Sequence, residues 1–139
     1  MLGKNSSLSD VTTLELEVFQ RNTGRLVAVQ HGKEIPWSIE RVFFIASEGA
    51  ENRGDHAHFN GYQAFIATSG TSQLHCKDGL QTKTFELSDL STVIFVPPGI
   101  WTIISLTGNS SLAVLTNLPY DENDYMRSWD EFMKFKELL

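Results

Sequence analysis

The sequence predicts a mainly β protein, a β-sandwich or barrel, with one short helix at the C-terminus. Three observations carry this. Short runs rich in β-branched and aromatic residues recur along the chain, several of them alternating apolar and polar positions. Turn-forming residues separate the runs at intervals of about 8–12 residues. Only from Asp130 onward does the apolar spacing turn helical, through Phe132, Met133, Phe135, Leu138 and Leu139.

The elements follow in order. Residues 1–12 are polar and expected to be loose. Residues 14–20 alternate as a half-buried strand does, Asn22-Thr23-Gly24 is a turn, and 26–29 read as a second strand. Gly32 to Pro36 breaks that run before another strand at 39–45. Residues 48–54 read as a charged loop entering an extended Asp55-His56-Ala57-His58, and Asn60-Gly61 is a two-residue hairpin signal. Strands at 63–67, 72–77, 81–87, 92–96, 101–106 and 111–117 complete the series, broken by Gly70, Asp78-Gly79, Ser88-Asp89, Pro97-Pro98-Gly99 and Thr107-Gly108-Asn109.

The totals fit one domain over residues 1–139. At this length folding buries roughly two-thirds of the unfolded surface, enough for a core without disulfides. Cys76 is the sole cysteine, so no intrachain disulfide forms, which suits a reducing compartment. A net charge of −6 without a basic run argues against a nucleic-acid partner. No segment reaches the ~18 apolar residues of a membrane span, and the N-terminus lacks the apolar run of a signal peptide. A soluble, cytoplasmic protein without a membrane partner is expected.

The chemistry concentrates at His56 and His58. In an extended chain both point to one face, about 7 Å apart. Two imidazoles at that spacing suit one shared ligand, or a division of acid and base roles.

His56-x-His58, four residues, Gln63, six residues, Gly70, and later Pro97-x-Gly99, two residues, Thr102 resemble the two motifs of the cupin superfamily, small double-sheet β-barrels (jelly rolls) with an interior site. In metal-binding cupins the Gln63 position is glutamate and the Thr102 position histidine, giving a ligand set that divalent transition metals accept. Here that set shrinks to two histidines, and no spacing nominates His31 or His75 as substitutes. No metal is expected.

A closer resemblance spans most of the chain. Residues 24–29, residues 35–42 (Ile-Pro-Trp-Ser-Ile-Glu-Arg-Val), Arg53-Gly54-Asp55-His56-Ala57-His58 and the tail Tyr120 to Arg127 resemble signatures of the nucleotide-sugar 3,4-ketoisomerases, the WxcM-like cupins. These act on dTDP-4-keto-6-deoxyglucose on the way to 3-amino-3,6-dideoxy sugars, including those of lipopolysaccharide O-antigen. The resemblance implies a cofactor-free isomerisation, a dTDP-sugar held at the barrel mouth, and a homodimer that exchanges N-terminal strands. On that reading His58 is the principal base and His56 its partner, with their order left open. Arg41 and Arg53 are candidates for the diphosphate, since guanidinium groups make forked bonds to phosphate oxygens. Gln63 is an inward hydrogen-bonding residue. Trp101 is the candidate apolar floor under sugar or thymine, with core packing as its competing reading.

The chain departs from the family pattern at Phe43 and Phe44, where tyrosines are common, at Tyr62 for glutamate, and at Thr102 for histidine. These changes remove possible proton relays. They keep open a sugar-nucleotide-binding cupin without turnover (a paired or regulatory subunit) and, further off, a metal-dependent cupin enzyme. The C4 stereochemistry of the product stays open as well.

Overall fold

The computed structural model describes residues 2–139. Its strands are β1 (Thr12–Glu15), β2 (Phe19–Arg21), β3 (Gly24–Leu26), β4 (Arg41–Ser47), β5 (Glu51–His58) and β6 (Gln63–Ser69). They continue as β7 (Ser72–Lys77), β8 (Thr82–Leu87), β9 (Thr92–Val96), β10 (Trp101–Leu106), β11 (Ser110–Thr116) and β12 (Tyr125–Met126). Helices α1 (Leu2–Asn5) and α2 (Trp129–Phe135) stand at the two ends. One five-stranded sheet runs β1-β9-β6-β11-β4, a second runs β12-β5-β10-β7-β8, and β2-β3 form a separate hairpin. All strand pairings are antiparallel among the described residues.

Alternation along these strands builds three apolar layers. Phe65, Leu74, Cys76, Ile94, Ile104, Leu112 and Val114 point between the sheets and form the central core. On β6 the next residues, Ala64 and Ile66, point outward, so this strand is buried on both faces. Residues 16–39 form the cover there: Leu16, Ile35, Val27, Val29, Trp37 and Ile39 close over that outer face. Residues 27–29 therefore lie outside any strand, contrary to the expectation; they serve as a lid.

The third layer sits outside the second sheet, where α2 places the fully buried Phe132 against Ala57, Trp101 and Met126. At seven residues α2 is too short to stand alone. Packing of Phe132, the Ser128 cap and the acidic first turn hold it.

Residues 2–12, expected to be loose, are docked. The Lys136 ammonium donates to the carbonyls of Gly3, Ser6 and Gly99, and Val11 is buried. Asn60-Gly61 is not a hairpin either. β5 and β6 belong to different sheets, so this turn carries the chain across the barrel, and neither residue takes a positive φ.

Candidate active site

β5 begins within the expected charged loop and carries a built irregularity. Its register against β10 slips between Thr102, opposite His56, and Ile103, opposite Gly54. Asp55 is the extra residue, and Gly54 and Asp55 take φ of 83° and 61°. This is a glycine-led bulge. A Cβ on Gly54 would stand 3.1 Å from the Thr102 carbonyl oxygen, so the position favours glycine twice over. Arg53 and His56 are three residues apart, and plain alternation would send them to opposite faces. The bulge brings both onto one cavity.

That cavity, of about 320 Å³, lies between the sheets at one barrel end. Arg41, Phe43 and Ile45 reach it from β4, Gln63 and Phe65 from β6, Thr102 and Ile104 from β10. Tyr125 and Arg127 enter from the tail. Three guanidinium groups therefore line one pocket, an arrangement that favours an anionic ligand. Arg53 is half-exposed and pairs with Glu51 at 3.3 Å. Arg41 lies over the Phe43 ring and donates to the Tyr125 hydroxyl at 3.5 Å. Arg127 is held by Glu122, which also accepts from the Tyr120 hydroxyl at 2.6 Å. Those two donors bring the Glu122 pKa down to about 2.

His58 opens on a narrow neighbouring pocket, and Arg41, Gln63 and Tyr125 line both spaces. The two imidazoles meet edge to face, with ring centroids 5.1 Å apart. Tyr125 covers both, at 4.9 Å from His56 and 4.3 Å from His58. Burial first, and the neighbouring His58 second, lower the His56 pKa to about 4, so His56 is neutral near pH 7. His58 Nδ1 lies 3.2 Å from Asp124 Oδ2. Burial alone would raise the Asp124 pKa; hydrogen bonds from His58, Asn60 and Gly61 outweigh it and hold it below the ordinary value. His58 Nε2 is buried without a hydrogen-bond partner among the described residues. His56 Nδ1 is buried too and makes no well-formed bond among them, with the Gly54 backbone as the nearest polar group acting on that ring. Such atoms are costly unless something else satisfies them.

The structure thus gathers His56, His58, Arg41, Arg53 and Gln63 around one end of the barrel. Trp101 is a correction. β10 alternates, so Thr102 and Ile104 face the cavity while Trp101 faces the opposite layer. There it is 3% exposed, packs on Trp129 and Phe132, and donates Nε1–H to Asp55 at 3.0 Å. Its core reading holds. His75 bonds Thr84 and Ser105 at 2.8 and 3.0 Å, and neither it nor His31 joins the cavity.

In the sequence Asp124, Tyr125 and Arg127 stand out only as parts of the tail Tyr120 to Arg127. β12 explains their arrival: Tyr125 pairs with His58 and Met126 with Ala57, so Tyr125 turns to the histidines and Met126 to the outer layer. The available signal was compositional, an acidic and aromatic stretch ending in arginine after the last long strand.

Comparisons with known proteins agree in direction. Residues 9–137 match the family model described as FdtA: WxcM-like, C-terminal. The TDP-4-oxo-6-deoxy-alpha-D-glucose-3,4-oxoisomerase of Aneurinibacillus thermoaerophilus is 33% identical over 114 residues, 81% of this chain and 82% of that protein. QdtA, a sugar 3,4-ketoisomerase from Thermoanaerobacterium thermosaccharolyticum solved in complex with TDP, is 27% identical with a TM-score of 0.90, covering 94% of this chain and 97% of its own. A 3,4-ketoisomerase from Helicobacter canadensis is 29% identical with a TM-score of 0.88, covering 92% and 98%.

Proposed function

The chain belongs to the FdtA, WxcM-like C-terminal family, and from that premise we propose that it is an isomerase converting a dTDP-4-keto-6-deoxyhexose to its 3-keto isomer. The observation that carries this reading is the pair of buried imidazoles, His58 Nε2 unpartnered among the described residues, beside a cavity lined by three guanidinium groups. Arg41, Arg53 and Arg127 suit the diphosphate, while Gln63 and Thr102 offer neutral hydrogen bonds to the sugar.

The chemistry is proton transfer. The C4 ketone acidifies the hydrogen on C3, and His58 removes it as base. The C3–H electron pair becomes the C3–C4 double bond, and the C4 oxygen takes the negative charge and a proton, giving an enediol. The C3 hydroxyl then loses its proton as C3=O forms, and C4 takes a proton. Atoms balance with no oxidant and no cofactor. His56, neutral at working pH, suits hydrogen bonding and proton shuttling at the sugar oxygens.

The reading is metal-independent. Among the described residues no group of three or more His, Cys, Asp or Glu stands together as a ligand set. Stoichiometric zinc, iron, manganese or nickel in purified protein, lost together with activity on chelation, would point instead to a metal-dependent cupin.

The product on this account serves 3-amino-3,6-dideoxy sugar synthesis, O-antigen sugars among them, in the cytoplasm. No described helix is long and apolar enough to cross a membrane. We also assign a homodimer with exchanged N-terminal strands, supported by Phe19 and Leu26, 54% and 57% exposed on the β2-β3 hairpin. Light scattering at twice the chain mass is the expected result.

The test of turnover is direct. Incubated with dTDP-4-keto-6-deoxyglucose, the protein should yield the 3-keto isomer by ¹³C NMR, and His58→Asn should not. Tight binding with no isomer from the unsubstituted protein would identify a binding cupin, the reading that Phe43 and Thr102 keep alive.

A further inference from the structure

We propose that Asp124 is the positioning residue of the site, fixing the tautomer and ring orientation of His58 so that its Nε2 is the basic atom. The inference rests on His58 being the base, as assigned above.

The geometry makes the argument. Asp124 Oδ2 lies 3.2 Å from His58 Nδ1 and accepts Gly61 N–H at 3.0 Å. Oδ1 accepts the Asn60 backbone N–H at 2.8 Å and the Asn60 side-chain amide at 3.3 Å. The carboxylate is thus locked in orientation by the turn that leaves β5. An ionised carboxylate only accepts, so the proton between Asp124 and His58 belongs to Nδ1. A neutral imidazole protonated there carries its lone pair on Nε2. Nε2 is the buried His58 atom without a hydrogen-bond partner among the described residues. Tyr125, the next residue after Asp124, pairs with His58 across β12 and β5 and covers its ring. Asp124 and Tyr125 therefore set the His58 ring from its edge and its face.

A purely structural reading makes Asp124 a turn clamp, since it also holds Asn60 and Gly61. The two roles separate by substitution. In Asp124→Asn the oxygen kept on the Asn60 side still accepts both Asn60 N–H donors, at the cost of the Gly61 N–H bond. The amide then falls where Oδ2 stood, and donates to His58 Nδ1. The proton moves to Nε2 and the base is lost, while Asn60 stays held. Gly61→Ala perturbs the pair differently: a Cβ there would lie 2.9 Å from Asp124 Oδ2 and must push the carboxylate from its place. Asn60→Ala loosens the clamp and leaves the His58 contact intact.

The experiment pairs ¹⁵N NMR of the His58 imidazole in the substrate-free protein with steady-state kinetics of the 3,4-ketoisomerisation. The expected wild-type spectrum shows Nδ1 protonated. Asp124→Asn should move the proton to Nε2 and lower kcat by about 100-fold or more, with KM within about twofold. Gly61→Ala should lower kcat by a smaller factor in the same pattern, and Asn60→Ala should leave both tautomer and kcat near wild type. An unchanged tautomer in Asp124→Asn, or equal losses in Asp124→Asn and Asn60→Ala, overturns the proposal. Should the unsubstituted protein not isomerise the sugar, the activity reading fails by itself; the tautomer measurement still decides whether Asp124 sets His58.

Discussion

Replacing His56 with glutamine should flatten the acid side of the protein's stability profile. The folded protein holds His56 at about 4, against an ordinary value of 6.5, because burial and His58 both disfavour its charged form. Unfolding returns it to water. Between these two values the unfolded chain binds a proton that the folded chain refuses, so stability falls as pH falls. The sign is that of a depressed group: the contribution is complete above pH 6.5 and gone below about 4. At about 1.4 kcal/mol per pKa unit the whole effect is about 3.5 kcal/mol, about 2.5 of it expressed by about pH 4.5. Urea denaturation of wild type and His56→Gln at pH steps from about 7.5 to 4.5 reads it. Asp78, Asp89 and Asp124, held below the ordinary carboxylate value by their hydrogen bonds, titrate below this range, and they are common to both proteins. Wild type should lose about 2.5 kcal/mol more than the variant across that range. Parallel profiles would refute the buried, neutral His56.

Three further outcomes follow from the same packing. Gly54→Ala should cost about 1–2 kcal/mol in urea denaturation, because its φ is left-handed and its Cβ would meet Thr102; kcat should fall further than stability explains, since Arg53 and His56 share a face through this bulge. Phe132→Ala should cost about 3–5 kcal/mol by thermal or chemical melting, as the side chain is fully buried between α2 and the second sheet. Arg53→Ala should raise KM roughly tenfold with kcat within about twofold, in steady-state assays, if its guanidinium serves binding alone.

The strands were legible because turn residues punctuate them and because alternation marks each buried face. β7, β9 and β10 begin and end where the sequence places them. The histidine pair was legible for the same reason, since His56 and His58 obey a period of two. What failed depends on long-range geometry. Gly54 reads as the end of a loop and Asp55 as plain strand until β10 is laid beside them, and then the two are a bulge that re-aims Arg53. Asn60-Gly61 has hairpin chemistry, yet the chain crosses there to the other sheet. Trp101 next to Thr102 offers two faces, and only the position of α2 shows which one the indole takes. Asp124 meets His58 across 66 residues of sequence, and no local pattern announces such a contact. The docked N-terminus is similar, because the group that holds it, Lys136, lies at the far end of the chain.

Solvent-isotope wash-in tests the central claim, proton transfer by the histidine pair, most directly. Supplied with dTDP-4-keto-6-deoxyglucose in deuterated water, the protein should place deuterium on the sugar ring at C3 or C4, and His58→Asn should abolish that exchange. Unchanged exchange in His58→Asn would contradict the account, as would a bound sugar that never exchanges with the unsubstituted protein.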